Sequence, residues 1–320
     1  MQIIFFGSFR HYSVIALKKL LATKTYNLVT IITTPPRPAG RHLKVKPTEV
    51  QQFAQKNGLP VSTPENLSTT SPQSLITNHS VPDFLVVAGY AQLLPPAWLN
   101  FPKIMAVNMH PSLLPAYRGP NPAEWAILNG ETETGVTLIK MSPEFDTGDI
   151  LAQHHLPIAD SDTRETLYEK LYTLGGDLLV ESLPAIASGQ ITPRPQTPNP
   201  DQRTTSYFYA RRITRQDGFV NWDEFSHFLH NWPDKDVQAF ESEHRRRTPA
   251  SARHPRSAVS NAERPSQQTK YEEITRKFRA FADWPGIWST DPKDIRVKLV
   301  SLNPLLIQYE GKKPLEGKLI

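Results

Sequence analysis

Short apolar runs alternate with amphipathic stretches along the first 190 residues of the chain. The short runs have the length of buried strands, whereas apolar residues spaced three and four positions apart indicate helices. The predicted strands are Gln2–Phe6, Leu28–Thr33, Phe84–Val87, Ala106–Met109, Val136–Met141 and Ile150–Leu156. The predicted helices are Ser13–Ala22, Thr48–Lys56, Pro122–Asn129 and Thr163–Ala187. This alternation predicts an α/β domain with a mostly parallel sheet and helices on both faces.

The pattern changes after residue 188. Four prolines between residues 189 and 202 predict a semi-rigid linker at 189–204, which would follow a catalytic domain at 1–188. Beyond the linker, short strand-like runs with little helical spacing predict a small β-barrel domain at 205–320. These runs are Ser206–Ile213, Gly218–Trp222, Ile295–Ser301 and Leu305–Tyr309.

Residues 230–270 interrupt this second domain. The segment is basic, contains the run His244-Arg245-Arg246-Arg247-Thr248-Pro249, and has little apolar periodicity. A composition that cannot bury a core predicts a disordered insertion. The functional alternative is that its arginines form an additional arm that contacts RNA.

Composition and charge narrow the class of protein. The 320 residues suffice for two domains, and the lack of cysteine fits a reducing, cytoplasmic location. The apolar start of the chain lacks the basic residues of a signal peptide, and no stretch of 18 apolar residues predicts a membrane span.

The net charge of +5 is unevenly distributed. Residues 1–50 contain eight Lys and Arg against one acidic residue, residues 51–200 contain seven against 14, and residues 201–320 contain 21 against 16. Basic ends around an acidic middle are typical of contact with a polyanion, although solvated surface charge explains these counts equally well.

Three polar residues carry the candidate chemistry. Asn108 and His110 stand at positions i and i+2 where a predicted strand ends, so both side chains point to the same side. An amide is a neutral donor for an oxyanion, histidine exchanges a proton near neutral pH, and Asp146 would orient the ring. The trio predicts attack by an external nucleophile on a carbonyl carbon. Taken alone, Asn108 and His110 would more simply be a turn cap and a loop histidine.

The motifs around this trio resemble the folate-dependent formyltransferases. They are Asn108-x-His110-x-Ser112-Leu113-Leu114-Pro115, Arg118-Gly119, Pro122, Gly135-Val136-Thr137 and Asp146-Thr147-Gly148-Asp149. Further runs are similar to the branch of that family that acts on methionyl-tRNA: Thr34–Arg41, Arg279–Phe281, Trp284–Gly286 and Glu310–Pro314. The resemblance covers roughly residues 1–225 and 271–320, with the motifs in the family's order.

The resemblance implies a Rossmann-like catalytic domain, a C-terminal open barrel of the oligonucleotide-binding type, and two substrates. 10-Formyltetrahydrofolate would be the formyl donor, and its site residues would be Ser112, Leu113, Leu114, Pro115, Ala88, Gly89, Tyr90, Gln92 and Leu93. Methionyl-initiator tRNA would be the acceptor, contacted by Arg41, Lys44, Lys46, Arg211 and Arg212. No metal, membrane or obligate protein partner is implied, and a monomer is expected.

The expected reaction is attack of the α-amine of methionyl-tRNA on the formyl carbon. Asn108 would donate to the oxyanion, His110 would transfer the amine's proton, and Asp146 would hold the imidazole. All three are catalytic residues in this interpretation.

Three alternatives remain open at this stage. An amino-sugar nucleotide N-formyltransferase would share the trio, and a glycinamide ribonucleotide enzyme would be a single domain, against which residues 205–320 argue. A non-catalytic RNA-binding protein on the same frame is disfavoured by the intact trio. The loop Gly7–Ser13 departs from the family's usual sequence, which leaves the geometry of that turn open.

Overall fold

The computed structural model describes residues 1–39, 44–76, 81–197, 208–232 and 267–316. The strands are β1 Gln2–Phe6, β2 Asn27–Ile32, β3 Arg37–Ala39, β4 Lys44–Lys46, β5 Val61–Ser62, β6 Phe84–Val87, β7 Met105–His110, β8 Glu133–Lys140, β9 Ile150–Pro157, β10 Ile287–Thr290, β11 Arg296–Leu302, β12 Leu305–Tyr309 and β13 Leu315–Glu316. The helices are α1 Arg10–Ala22, α2 Glu49–Lys56, α3 Pro96–Leu99, α4 Pro122–Leu128, α5 Arg164–Ala187, α6 Trp222–His230 and α7 Gln267–Phe281.

The larger sheet has seven strands in the order β5-β2-β1-β6-β7-β8-β9. The first five strands are parallel, whereas β8 and β9 run antiparallel at one edge. The predicted mostly parallel sheet is therefore confirmed, and so are its six predicted strands, two of them with the predicted ends and the others with ends that differ by at most three residues. The two-residue strand β5 was not predicted because a run that short carries no readable period.

Helices cover both faces of this sheet. On β7, the side chain of Met109 points to α5, where a Cβ added at Gly175 would overlap its sulfur. Ala106 points to the opposite face, into an apolar cluster that includes Trp98 of α3. Asn108 and His110 have the same parity as Ala106 along β7, which sets the direction of both side chains.

A two-stranded hairpin of β3 and β4 precedes α2. Its lysines, Lys44 and Lys46, are exposed, and Val45 between them is 65% exposed. Thr48 caps α2, since its side chain accepts a hydrogen bond from Gln51 N at 3.0 Å.

The C-terminal region contains a four-stranded antiparallel sheet in the order β10-β11-β12-β13. The predicted strands at 295–301 and 305–309 are confirmed as β11 and β12. The prediction of little helix was wrong, because α6 and α7 contribute Phe225, Phe228 and Ile274 to the same apolar core as the sheet.

Two further strand predictions fail. Residues 215–218 form a 3-10 turn, Phe219 makes only an isolated bridge with Trp288, and Trp222 already begins α6. In the run 206–213, residues 206 and 207 lie outside the described residues, and the remainder holds a single bridge between Tyr209 and Arg118.

Contacts divide the described chain into two compact units. One comprises residues 1–126, 132–158 and 165–212, and the other comprises 127–131, 159–164 and 213–320. Most of the predicted insertion, residues 233–266, lies outside the described residues, as do residues 198–204 of the predicted linker. None of the helices in the described part of the chain is long and apolar enough to cross a membrane.

Candidate active site

One carboxylate oxygen meets both of the polar side chains at the end of β7. Asp146 Oδ1 lies 3.4 Å from Asn108 Nδ2 and 3.4 Å from His110 Nδ1. The His110 side chain is 6% exposed and that of Asp146 is 12% exposed. The structure thus brings together the three residues that the sequence singled out, at the edge where the parallel strands β1, β6 and β7 also end.

The partners of the His110 ring define the hydrogen-bonding roles of its two nitrogens. Its Nε2 lies 2.9 Å from the carbonyl oxygen of Tyr117, which only accepts hydrogen bonds. Nε2 therefore carries a proton, and in the neutral ring Nδ1 presents a lone pair. Because Nδ1 faces Asp146, the ring satisfies both acceptors at once only as the imidazolium.

Asp146 has a left-handed backbone conformation and is held by hydrogen bonds from two other loops. Its φ is +53°, which costs a non-glycine residue about 1–2 kcal/mol. Gly119 N donates to its Oδ2 at 2.9 Å, and Gln196 Nε2 donates to its carbonyl oxygen at 2.8 Å. Gly148, two residues on, packs so closely that an added Cβ would overlap Lys140 O.

Gln196 is the site residue that the sequence analysis missed. It lies in the predicted linker, and only its side chain reveals its role: Nε2 also donates to Gly148 O at 2.7 Å, and Oε1 accepts from Arg118. These partners are 48 to 78 positions away in the sequence, so no local pattern signals them.

The loop after β7 is fastened to β8 by side chains. Ser112 Oγ donates to Ala116 O at 2.7 Å, and Thr137 Oγ1 donates to Ser112 O at 2.7 Å. Among the predicted folate residues, Ser112 and Leu114 are therefore buried parts of the scaffold, and Leu114 packs in an apolar cluster. Leu113 and Pro115 are partly exposed.

The second predicted folate loop, residues 88–93, has a similar division. Ala88 is buried, and its carbonyl accepts from Ser13 Oγ at 2.6 Å; Gly89 O accepts from Ser8 N at 2.9 Å. Gln92 is partly exposed and Leu93 is exposed.

Tyr90 in this loop has an unusual hydroxyl. Its ring lies edge-on to Phe6, with centroids 5.4 Å apart. The hydroxyl is buried and has no hydrogen-bond partner among the residues that the structure describes. Burial raises the pKa of Tyr90 to about 12, so the group is a neutral donor at physiological pH.

The predicted tRNA contacts are in different situations. Lys44 and Lys46 project from the exposed hairpin, whereas Arg41 lies outside the described residues. The guanidinium of Arg211 lies 4.9 Å from the ring centre of Trp125, and its Nη1 donates to Arg212 O at 3.1 Å. Both arginines belong to the same compact unit as the trio rather than to the unit that holds the C-terminal sheet. No group of three potential metal ligands occurs within the described ranges.

The known proteins that this chain resembles in sequence are formyltransferases. A profile of the formyl transferase family matches residues 1–183. The methionyl-tRNA formyltransferase of Listeria monocytogenes serovar 1/2a is 40% identical over 222 residues, which are 69% of this chain and 68% of that protein. The enzyme of the same name from Roseiflexus castenholzii is 40% identical over 224 residues, which are 70% and 69% of the two chains. That of Synechococcus sp. strain JA-3-3Ab is 40% identical over 232 residues, or 72% and 70%.

Solved structures share the fold at low sequence identity. A 4-N formyltransferase from Francisella tularensis superposes with a TM-score of 0.58 at 15% identity and covers 94% of this chain and 96% of its own. HypX from Aquifex aeolicus in complex with tetrahydrofolic acid gives a TM-score of 0.54 at 17% identity, over 100% of this chain and 40% of HypX.

Proposed function

The chain belongs to the formyl transferase family, and on that premise we propose that it transfers a formyl group from 10-formyltetrahydrofolate to the α-amine of methionyl-tRNA. The observation that carries the proposal is that the Asn108 amide and the His110 imidazole meet at one carboxylate oxygen, Asp146 Oδ1. The choice of methionyl-tRNA as the acceptor is supported by the relatives that are about 40% identical over about 70% of the chain, which are named methionyl-tRNA formyltransferase.

The residues around the site suit a folate. A pterin has several polar atoms on an aromatic ring system, and the buried Tyr90 hydroxyl offers a donor that no residue described in the structure uses. Leu113, which is partly exposed, and Leu93, which is exposed, would supply apolar surface for the ring system. Gly89, Gln92 and Pro115 complete the proposed folate site, whereas Ala88, Ser112 and Leu114 shape it from within the scaffold.

When bound, the folate supplies an activated formyl group whose oxygen gains negative charge as the amine adds. The Asn108 amide would donate a hydrogen bond to that oxygen. His110 Nδ1 takes the proton of the attacking amine, because Nε2 is already committed to Tyr117 O. The charged ring then lies between Tyr117 O and Asp146 Oδ1, and it gives the proton up to the leaving nitrogen.

The RNA surface is part of the proposal. Lys44 and Lys46 on the hairpin after β2, together with Arg41 and Arg212, would contact phosphates of the initiator tRNA. Arg211 contributes less, because its guanidinium is engaged with Trp125. We propose a monomer, in the cytoplasm where aminoacyl-tRNA is used, with the C-terminal antiparallel sheet as part of an oligonucleotide-binding barrel.

A side-by-side transfer assay tests this function. Radiolabelled formyl folate is offered with methionyl-tRNA, with other aminoacyl-tRNAs and with amino-sugar nucleotides. We expect methionyl-tRNA to be the preferred acceptor and its KM to rise with salt, more weakly in K44E/K46E than in K56E, a charge reversal on α2. Preferential transfer to an amino-sugar nucleotide, or rates that do not change with salt, would favour a small-molecule acceptor instead.

A further inference from the structure

Gln196 connects two loops of the proposed active site. Its Oε1 accepts two hydrogen bonds from Arg118, from Nε at 3.1 Å and from Nη2 at 2.6 Å. Its Nε2 donates to Asp146 O at 2.8 Å and to Gly148 O at 2.7 Å. One amide therefore makes four hydrogen bonds, two to each loop.

The orientation of this amide follows from the chemistry of its partners. A guanidinium only donates and a backbone carbonyl only accepts, so Oε1 must face Arg118 and Nε2 must face the two carbonyls. The reversed amide would place a donor against a donor and an acceptor against two acceptors. Glutamine is consequently the residue type that satisfies all four partners at this position.

The two loops joined by Gln196 carry the groups that hold the trio. The loop of Arg118 provides Tyr117 O for His110 Nε2 and Gly119 N for Asp146 Oδ2. The other loop carries Asp146 itself, in the left-handed conformation at φ +53°. A shift of either loop would move the carboxylate relative to Asn108 and His110.

We propose that Gln196 is a positioning residue for the formyl transfer, acting through Asp146 and His110 without contacting the substrate. The inference rests on the proposed function, and it assigns part of the predicted linker to the active site. Misplacement of a reacting group by about 1 Å costs on the order of 10²-fold in rate. We therefore expect a loss of that size in kcat when the two donor bonds are removed.

The variants Q196A and Q196E separate positioning from simple anchoring of Arg118. In Q196E a carboxylate still accepts from Arg118, but it turns a second oxygen toward the carbonyls of Asp146 and Gly148. We expect kcat of both variants to fall about 10²-fold, with the KM for the folate unchanged. The matched control is Q190A, which removes an exposed glutamine from the same segment.

The assay is first run on the wild-type chain, so that the two proposals fail separately. A wild type that formylates a different amine overturns the proposed acceptor, and the same variants are then compared with that amine. Wild-type kcat in Q196E, or a Q196A that behaves like Q190A, overturns the role of Gln196. If no amine is formylated, hydrogen exchange of the Gly119 amide decides: faster exchange in Q196A than in Q190A supports the connection, and equal exchange overturns it.

Discussion

The charge of Asp146 is the feature of the site that a single substitution tests most directly. D146N keeps the size of the side chain and an acceptor for Gly119 N, but it removes the negative charge beside Asn108 and His110. We expect single-turnover formyl transfer to slow by about 10²–10⁴-fold, the usual contribution of a positioned acid–base or oxyanion group. The control E144Q removes an exposed carboxylate from the same turn. Equal rates in the two variants would contradict the assignment of Asp146.

We expect the substitution Y90F to raise the stability of the ligand-free protein and to lower its affinity for folate. Y90F removes a buried hydroxyl that has no partner within the described chain, so the ligand-free protein should gain about 1 kcal/mol in the free energy of unfolding. Folate affinity should fall about tenfold, since the hydroxyl is the proposed donor to the pterin. Urea unfolding and titration with a folate analogue measure the two quantities.

The pH dependence of Y90F provides a check on the same group. The folded-state pKa of Tyr90, about 12, exceeds the unfolded value of about 10. The wild type therefore loses stability as pH rises from about 10 to about 12, and Y90F is spared this loss. The stability difference between them should widen over that window, and a constant difference would contradict a buried, unpaired hydroxyl.

Among individual residues, the sequence identified those whose signal is local. Asn108 and His110 follow a strand with a spacing that fixes their common direction, and the Asp146 motif completed the trio by resemblance. Burial was harder to predict: Ser112 and Leu114 lie in a motif typical of folate contact, yet their side chains are buried in the scaffold. Gln196 carried no signal, because its four hydrogen bonds join positions far apart in the chain.

The strands of the larger sheet were predictable because they contain short apolar runs, and its helices because apolar residues recur three and four positions apart. Helix α6 was missed although its signals were present. Asn221 Oδ1 accepts from Glu224 N at 3.0 Å as an N-cap, and Phe225, Phe228 and Leu229 follow at helical spacing. The strand predicted at 218–222 ended on Trp222, which is the first residue of this helix, and no element was predicted for the residues that follow.

The turn between β8 and β9 positions Asp146 through backbone packing. G148A would place a Cβ against Lys140 O, a backbone atom that cannot move without separating the strands. We expect the free energy of unfolding to fall by about 2–4 kcal/mol and kcat to fall at least tenfold. The control G189A meets no atom of the described residues and carries only the cost of its φ of +76°, about 1–2 kcal/mol. Wild-type transfer by G148A would show that the turn tolerates displacement.

Across the whole chain, the boundary of the catalytic unit differs from the one that the prolines suggested. The sequence placed a linker at 189–204, but residues 208–212 pack within the compact unit of the trio. Phe208 lies against Tyr117 and Trp125, with ring centroids 5.3 Å apart in each case. Prolines indicate an extended chain, and an extended chain can lie against a domain as readily as it can leave it.

We therefore propose that the catalytic unit ends after Arg212, and chain truncation tests this boundary. Ala210 N donates to Arg118 O at 2.7 Å, Asn121 N donates to Ala210 O at 3.2 Å, and Trp125 Nε1 donates to Arg211 O at 2.9 Å. A chain ended after residue 200 loses these bonds and the Phe208 contacts. At about 1 kcal/mol for each bond and a similar amount for the ring contacts, it should be about 3–5 kcal/mol less stable to urea than a chain ended after residue 212.

The shorter chain should also transfer formyl groups to a small amine more slowly, because Phe208 packs on the residue whose carbonyl holds His110. Folate binding should differ little between the two truncated chains, since the residues proposed to contact the folate all precede residue 116. Equal stability and equal transfer rates would mean that the catalytic unit ends within the Pro-rich segment 189–204, as the sequence predicted. A loss of folate binding confined to the shorter chain would instead mean that residues 208–212 support the whole fold of the unit rather than the position of His110.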